Sequence, residues 1–339
     1  MMPNIKEHSK KLEDIVITSV VKKGENYLCT GTLLDEWYKT ILLEIDEEGS
    51  VLWKKPFGDD QVDYEGQDLL AMDDGYLVCG GSEGVASKSG GRDWKAYILK
   101  TDKSGDNILY RSYNISGNDV AWSVIEDDDG FLLLGEARGG DSKSIFVLKV
   151  DDDGNKIWKE DFASGKKALS CGILKTEDGY VIAGSIDQGD GWNNVLLKVG
   201  KDGRSIWERF LDRGITYDIC SLDNQMYLTG CKDDKFYVIC LDKNGELNWE
   251  KSFFKGRGLR ILPLGGSIVI GGEIGEKPNP VLYKIDSKGK VEWVQDYEYE
   301  GWIETFVKTK WGYLLFIFGL EPREHTRVMH VKNNGAPTL

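Results

Sequence analysis

The chain has 339 residues, of which 40% are hydrophobic, and its formal net charge is −14. An acidic surface repels a phosphate backbone, so the charge argues against nucleic acid as a partner. No stretch approaches the roughly 20 consecutive apolar residues that a membrane-spanning helix needs, so we expect no association with a membrane.

The six cysteines are dispersed along the chain and form no C-x-x-C pair. Most lie in apolar runs such as GYLVCGG and FYVICLD, which favours reduced core thiols over a disulfide framework or a zinc site. The first residues, MMPNIKEHSKKLED, contain no apolar signal segment. Both observations predict a cytoplasmic protein.

The N-terminal segment belongs to no repeat, because it precedes the first predicted strand at residues 15–21. The last repeat ends soon after Gly335, too early for a fourth strand. We predict that residues 3–10 form this missing outer strand, since pairing the two ends of the chain removes an exposed strand edge. Ile5 is then expected beside the strand at residues 326–331.

Seven times along the chain, a turn is followed by an apolar run that closes on glycine. The clearest copies read DGYLVCG, DGFLLLG and DGYVIAG. Short apolar runs bounded by Asp and Gly are typical of β-strands. The closing glycines are Gly31, Gly80, Gly135, Gly184, Gly230, Gly271 and Gly319.

A second landmark also recurs seven times, namely a strand that ends in a turn closed by glycine; five copies read Asp-x-x-Gly, whereas Gly200 replaces the Asp in the fourth copy and the seventh is degraded. In most copies a Trp follows four residues after the glycine, as in VLKVDDDGNKIW and VICLDKNGELNW. The spacing between copies is 42 to 56 residues, a period typical of a radial β repeat. The turn glycines are Gly49, Gly105, Gly154, Gly203, Gly245, Gly289 and Gly335.

Each repeat unit supplies four strands, which we name A to D. In the third unit, strand A (residues 121–126) and strand B are joined by a DDDG turn, and a second DDDG turn joins strand C (residues 144–150) to strand D. Asp and Gly suit such tight hairpins. The repeat predicts an all-β, seven-bladed β-propeller of four-stranded antiparallel blades. We expect a single domain over residues 1–339, its ring closed by the N-terminal segment.

The B–C and D–A connections vary in length and composition, whereas the A–B and C–D turns are short and uniform. In a four-stranded antiparallel blade, the two kinds of connection lie on opposite faces. Ligands usually bind on loops that a rigid scaffold positions. The face formed by the B–C and D–A loops is therefore the predicted working face.

The Asp-x-x-Gly-x-x-x-Trp pattern resembles the tryptophan-docking repeat of propellers related to quinoprotein dehydrogenases. It is also similar to the DGGY and K-x-D-x-x-G-x-x-x-W repeats of uncharacterised microbial propeller proteins. The resemblance implies that each Trp packs between neighbouring blades beside a turn glycine, with Tyr110 or Leu109 as the substitute in the second unit. The implied docking residues are Trp53, Trp158, Trp207, Trp249 and Trp293.

The resemblance to those dehydrogenases does not include their quinone-binding site. That family uses a disulfide between adjacent cysteines together with calcium ligands, and no two cysteines are adjacent here. The DDDG runs at residues 127–130 and 151–154 lack the alternating ligands of a calcium loop and fall where other units have ordinary turns. We expect no cofactor, no metal and no catalytic constellation, and we expect structural roles for the three histidines.

Aromatic residues outside the docking motif are the best candidates for ligand binding, because they can stack on rings, sugars or peptide side chains. Padding of loops or packing beneath neighbouring blades explains them as well. The candidates in B–C loops are Trp37, Trp94 and Trp192, and those near the starts of A strands are Tyr64, Trp122, Tyr217 and Trp302. The polar candidates are Arg92, Arg138 and Glu304.

Charge on the D–A connections is uneven. Those entering units four to six are predicted to be basic loops, with Arg213, Lys255 and Arg257 among their residues. Those entering units two and seven are acidic, as in Asp59, Asp63 and Glu65. Such an asymmetry suits the orientation of a charged partner, although solvated loops account for it equally.

These features favour a monomeric, non-catalytic recognition scaffold that binds a protein or a small ligand on the predicted working face. The alternative is a propeller enzyme, a lyase or hydrolase acting on a carbohydrate or lactone, with carboxylates at the central funnel. Glu304, Asp218 and Asp68 are the acids that such an enzyme would use.

Overall fold

The computed structural model describes residues 3–84, 93–139, 142–165, 167–320 and 323–338. These residues form one short helix and 27 strands. The chain divides into two compact units. Unit 1 comprises Met1–Tyr27, Glu44–Leu52 and Gly214–Leu339, and unit 2 comprises Leu28–Leu43 and Trp53–Arg213.

Unit 2 contains three four-stranded antiparallel sheets, each built from consecutive strands in chain order. Their inward side chains form two apolar clusters that include Leu133, Phe146 and Tyr180. The first sheet is β6 (Tyr64–Ala71), β7 (Gly75–Gly84), β8 (Asp93–Asp102) and β9 (Asn107–Tyr113). The second is β10 (Val120–Asp127), β11 (Gly130–Gly139), β12 (Ser142–Val150) and β13 (Lys156–Gly165). The third is β14 (Lys167–Thr176), β15 (Gly179–Asp187), β16 (Trp192–Gly200) and β17 (Ser205–Arg213).

Unit 1 contains a seven-stranded sheet in which one long strand replaces an expected loop. Strand β21 runs without a break from Leu247 to Leu264, through the region predicted as a D–A connection. Lys255 and Arg257 are therefore strand residues and not loop residues. The other strands of this sheet are β18 (Ile215–Leu222), β19 (Gln225–Lys232), β20 (Lys235–Asp242), β22 (Ser267–Ile274), β23 (Asn279–Asp286) and β24 (Val291–Asp296).

The other sheet of unit 1 joins the two ends of the chain, in the order β1-β27-β26-β25. Its strands are β1 (Lys10–Leu12), β25 (Gly301–Lys308), β26 (Gly312–Gly319) and β27 (His325–Lys332). Leu12 pairs with Thr326 on β27. The predicted outer strand therefore exists, but it is shorter and later in the chain than residues 3–10.

The residues before β1 form a helix, α1 (Ile5–His8), instead of the predicted strand. Asn4 caps this helix by accepting a hydrogen bond from the Lys6 amide at 3.0 Å. Ile5 is fully buried in an apolar cluster with Met329 and Val331, so it does lie beside β27.

The remaining sheet contains β2 (Ile15–Lys23), β3 (Asn26–Leu33), β4 (Lys39–Ile45) and β5 (Val51–Phe57). Some residues of this sheet belong to unit 1 and the others to unit 2. All six cysteines are free. Among the described residues, no helix is both long enough and apolar enough to cross a membrane.

The Asp-x-x-Gly turns are held by the aspartate carboxylate. Asp151 Oδ1 accepts hydrogen bonds from the amides of Asp153 at 3.0 Å and Asn155 at 2.7 Å. These backbone hydrogen bonds, chiefly the one from Asn155, hold the pKa of Asp151 below its ordinary value. Asp286 makes the same contacts with the amides of its own turn. The recurrent aspartate is thus a turn-forming residue.

Docking tryptophans lie against the turn glycine of the next repeat. The Trp158 ring in unit 2 occupies the space beside Gly203, where an added Cβ would be 2.6 Å from the ring. Its indole nitrogen donates to the Lys201 carbonyl at 3.3 Å. In unit 1, the Trp249 ring lies in the same way 2.8 Å from a Cβ added at Gly289. Trp53 lies beside Gly105 and Trp293 beside Gly335 in equivalent contacts.

The second repeat lacks this tryptophan, and the atoms nearest to a Cβ added at the next turn glycine, Gly154, belong to Arg111, Ile98 and Tyr113. The strand register shows which residue occupies the position of the missing tryptophan. Leu109 lies opposite Lys100, as Trp158 lies opposite Lys149. Tyr110 is the next residue on the strand, so its side chain points to the opposite face of the sheet.

The DDDG turn at residues 127–130 is held by lysines in unit 2. Asp127 is buried, with a side chain that is only 2% exposed. It accepts hydrogen bonds from Lys149 and Tyr180, and Lys175 Nζ lies 2.8 Å from its Oδ1. Burial by itself would raise the pKa of Asp127, but these hydrogen bonds outweigh it and hold the pKa far below its ordinary value.

Candidate functional site

A β-bulge interrupts the first strand of six repeats at the same position. One residue in each of these strands has no partner in the neighbouring strand, and such a bulge re-aims a side chain. In unit 2 the unpaired residues are Gln67, Trp122 and Cys171. In unit 1 they are Tyr217, Leu259 and Glu304.

The three bulge residues of unit 1 line one pocket of about 270 Å³, which we name the arginine pocket. It is formed where β18, β21 and β25 lie side by side. The structure thus brings together three candidates predicted from the sequence, Tyr217, Trp302 and Glu304. The arginine pocket consists of Tyr217, Arg257, Leu259, Arg260, Trp302 and Glu304.

Arg257 is fixed in this pocket by a charged neighbour on the adjacent strand. Its Nε donates to Glu273 Oε1 at 2.7 Å, and its guanidinium also donates to the Tyr217 hydroxyl. The hydrogen bond to Glu273, followed by the smaller contribution of Tyr217, raises the pKa of Arg257 against the opposing effect of burial. Arg257 therefore keeps its positive charge and a defined orientation.

Trp302 forms a wall of the arginine pocket. One neighbour of its ring is Phe318, stacked at a centroid distance of 4.5 Å, and Arg257 Cζ lies 5.9 Å from its centroid. The indole nitrogen donates to Glu304 Oε2 at 2.7 Å. The other oxygen of Glu304 lies 3.8 Å from a guanidinium nitrogen of Arg260. The pocket therefore combines aromatic surface with two guanidinium groups and one partly exposed carboxylate.

The two further acids that an enzyme would have required have structural contacts. Asp218 Oδ2 accepts a hydrogen bond from the Ile261 amide on β21 at 2.9 Å. Asp68 Oδ2 accepts one from the Val124 amide on β10 at 3.1 Å. Each aspartate directly follows a bulge residue and holds the first strand of the next repeat.

Tyr64, another predicted candidate, lines a separate pocket of about 280 Å³ in unit 2, which we name the tyrosine pocket. The pocket is formed by residues of β4, β6, β8 and β9 together with the β5–β6 connection. Its lining includes Phe57, Asp59, Tyr64, Tyr97, Asn107 and Tyr110.

The other aromatic candidates remain apart within the described part of unit 2, where none of their rings stacks on another. Trp37 is half-buried in a bend between β3 and β4, and Trp192 begins β16. Trp94 lies on β8, so Trp94 and Trp192 are strand residues and not the B–C loop residues that the sequence predicted. The half-buried Trp94 packs against Gly81, where an added Cβ would be 3.0 Å from the ring. Trp122 is 38% exposed on β10.

Two of the polar candidates, Arg92 and the side chain of Arg138, lie outside the described residues.

Two histidines have structural partners in unit 1. His325 Nε2 lies 2.7 Å from the Tyr299 hydroxyl, and its Nδ1 lies 2.8 Å from the Arg323 carbonyl. His330 Nε2 lies 3.0 Å from the Thr309 hydroxyl. Burial lowers the pKa of both histidines. Among the described residues, no three His, Cys, Asp or Glu side chains form a group that could hold a metal ion.

Sequence reasoning missed Arg257, Leu259 and Arg260 as pocket residues. Gly256 and Gly258 flank Arg257 and made this segment look like a loop. When the first strands of the repeats are aligned in sequence, Leu259 occupies the same position as Tyr217 and Glu304. This alignment indicates Leu259 as a pocket residue.

No protein-family model matches the chain, and no curated protein matches its sequence. Solved structures of low sequence identity match its fold. A chain in the crystal structure of the mitotic checkpoint complex has a TM-score of 0.64 at 11% identity, with 98% of this chain and 92% of that chain covered. Drosophila Semaphorin 2a has a TM-score of 0.60 at 7% identity, with 96% and 75% covered.

The β-propeller domain of the trilobed protease from Pyrococcus furiosus is also similar to this chain. Its TM-score is 0.51 at 11% identity, with 93% of this chain and 98% of that chain covered. These structures belong to proteins with unrelated roles, and at such identities their likeness concerns the fold alone. The chain has an all-β fold of the β-propeller class.

Proposed function

We propose that the protein is a non-catalytic recognition module, built as a seven-bladed propeller, that binds its ligand in the arginine pocket. The blade count follows if β21 is counted in two adjacent blades, as outer strand of one and inner strand of the next. The β1–β27 pair then completes the seventh blade. The observation that carries the functional proposal is the convergence of three bulge residues on one pocket.

The ligand proposed for this pocket carries a carboxylate. Among the residues that the structure describes, the ionic partner of the Arg260 guanidinium is Glu304 at 3.8 Å, a separation longer than a hydrogen bond. Its side chain is 34% exposed, so its N–H groups are available to a ligand. A guanidinium fork matches the two oxygens of a carboxylate, and Arg257 beside it adds positive charge.

The same ligand carries a flat or apolar group next to the carboxylate. Trp302, Tyr217 and Leu259 supply the apolar surface of the pocket. Aromatic rings bury a large area with little loss of conformational entropy, which makes them effective anchors for a ligand.

The contacts of Asp68 and Asp218 support recognition over catalysis. An acid–base pair needs carboxylates that can reach a substrate. Both aspartates instead accept hydrogen bonds from backbone amides of the neighbouring strand. Their arrangement suits a rigid binding scaffold.

Isothermal titration calorimetry with benzoate and benzamide tests this proposal, because the two probes have nearly the same shape and only benzoate carries a carboxylate. We expect benzoate to bind roughly tenfold more tightly. Arg260→Gln is expected to abolish the difference between the probes. The matched control is Arg204→Gln in unit 2, where the arginine side chain is 88% exposed.

Equal binding of the two probes, or unchanged benzoate binding by the Arg260→Gln variant, contradicts the proposal. Turnover of glycoside or lactone substrates that is lost in Glu304→Gln would establish the enzymatic alternative instead.

A further inference from the structure

The tyrosine pocket of unit 2 has a corner formed by aromatic rings. The Tyr64 ring lies nearly perpendicular to two others, at 69° to Tyr97 and 65° to Tyr110. The centroid distances are 6.4 Å and 6.2 Å. Tyr97 is 1% exposed, so a group in this corner meets chiefly the half-buried rings of Tyr64 and Tyr110.

The hydroxyl groups of the three tyrosines are already engaged with the protein. The Tyr97 hydroxyl lies 2.5 Å from the Thr40 hydroxyl, and the Tyr110 hydroxyl lies 2.9 Å from the Ser82 hydroxyl. The Tyr64 hydroxyl donates to Asp59 Oδ2 at 3.3 Å. These contacts fix the rings, so the surface they offer to a ligand is mainly their electron-rich faces.

Tyr110 is specific to this repeat. In the five repeats that carry the docking tryptophan, the residue after it is charged or aliphatic. In the second repeat, which lacks that tryptophan, the corresponding residue is the aromatic Tyr110. The other residues are Lys54, Lys159, Glu208, Glu250 and Val294. The blade-to-blade packing of the repeat does not require this ring, so its presence needs another explanation.

The charge of the pocket is negative. Asp59 lines it, and none of the described lining residues is a lysine or arginine. The nearby Lys39 pairs with Asp60 at 2.6 Å. Burial, with smaller contributions from Tyr110 and Asp59, raises the pKa of Tyr64 to about 12, so this phenol stays neutral at physiological pH. The pocket thus combines neutral aromatic rings with one carboxylate.

We propose that the tyrosine pocket binds a methylated ammonium group. Such a cation is attracted to aromatic faces by the ring quadrupole, and its methyl groups match an apolar corner. Asp59 at the rim adds an opposite charge. An anion would be repelled by the Asp59 carboxylate, and Lys39, which also interacts with Asp59, is already paired with Asp60. A neutral ligand would gain nothing from that charge.

Calorimetric titration with choline and with 3,3-dimethyl-1-butanol tests the charge requirement, because the second probe has the same shape without the positive charge. We expect choline to bind about tenfold more tightly. Two blocked amino acids, N-acetyl-trimethyllysine methylamide and its unmethylated counterpart, separate a free small cation from a methylated side chain. Tighter binding of the trimethyllysine compound than of choline identifies the side chain as the source.

Tyr110→Leu removes the ring but keeps an apolar side chain, and we expect it to weaken choline binding at least about tenfold. Tyr110→Phe keeps the ring and should retain binding. Phe210→Leu is the matched control, since Phe210 is 55% exposed elsewhere in unit 2. Asp59→Asn, at an exposed position, should weaken binding several-fold and serves as the test if Tyr110→Leu does not fold.

The proposal is overturned if the neutral isostere binds as tightly as choline. It is also overturned if neither choline nor the trimethyllysine compound binds at millimolar concentration, or if Tyr110→Leu folds and binds choline normally. Arg260→Gln should leave choline binding unchanged, so this inference stands or falls independently of the arginine pocket.

Discussion

Lys175 holds its ammonium group 2.8 Å from Asp127 Oδ1, at the turn between the first two strands of the second sheet of unit 2. Lys149 and Tyr180 approach the other oxygen of the same carboxylate. An aspartate with a 2% exposed side chain is thereby kept charged. The contact links β10 to β14, the first strand of the next sheet.

This arrangement predicts a loss of stability in acid. Because the folded-state pKa of Asp127 is depressed, its stabilising effect is fully present about one pH unit above the ordinary aspartate pKa of about 3.9, and it is lost progressively as pH falls from about 5 toward the depressed pKa. Asp127→Asn should lower the free energy of unfolding at pH 7 by roughly 2 to 3 kcal/mol, since it leaves the buried Lys149 ammonium with only the exposed Asp129 carboxylate as an ionic partner among the described residues. Urea unfolding between pH 3 and 7 measures both effects.

The exposed Asp202 provides the control, and Asp202→Asn should leave the unfolding curves unchanged. If Asp127→Asn unfolds with the same acid dependence as the original protein, the carboxylate is not the source of that dependence.

Gly203 should tolerate no side chain. Its φ is +82°, and an added Cβ would lie 2.6 Å from the Trp158 ring. Gly203→Ala combines left-handed backbone strain of about 1 kcal/mol with a steric clash, so we expect a total destabilisation of about 2 to 4 kcal/mol. Thermal unfolding measures it. Gly265→Ala separates the two effects, because Gly265 has φ of +55° and nothing within 4 Å of its added Cβ. Equal losses in the two variants would show that Trp158 does not pack there.

Asp218 should stabilise the first strand of the next repeat. Asp218→Ala removes the acceptor of the Ile261 amide, and we expect a loss of about 1 to 3 kcal/mol. Hydrogen exchange should show faster exchange at Ile261 in the variant. Asp190→Ala, at a 71% exposed position, is the control. Unchanged exchange at Ile261 would assign Asp218 a role other than holding this strand.

Leu12 should contribute strongly to the pairing of the chain ends in unit 1. It is 7% exposed and lies opposite Thr326 on β27. Leu12→Ala should cost about 2 to 3 kcal/mol through the cavity it leaves, whereas Lys10→Ala, at an exposed position of the same strand, should cost little. Denaturant unfolding of the two variants compares them. Equal stability of both would mean that β1 is held by its backbone alone.

The strands and turns were predictable because each depends on nearby residues. Asp151 and Gly154 specify a hairpin through their own backbone and carboxylate, so the pattern reveals the element. The N-terminal segment shows the limit of this reasoning. Asn4 caps a short helix there, and an argument about a free strand edge does not detect such a local signal.

The pockets were only partly predictable. Tyr217, Trp302 and Glu304 were identified as candidates because aromatic and acidic residues near strand starts suit binding. Their convergence with Arg257 depends on bulges and on the continuity of β21, which follow from strand register and not from composition. Likewise, Tyr110 was considered as a docking residue, whereas the register gives that position to Leu109.

The bulges have a consequence for how such a protein can diversify. A bulge residue has no partner in the neighbouring strand, so its side chain can be exchanged while the backbone ladder on either side stays intact. The six positions are occupied by six different residue types, although the strands around them repeat. New binding specificities can therefore arise by single substitutions at these positions, with little penalty to folding. They are Gln67, Trp122, Cys171, Tyr217, Leu259 and Glu304.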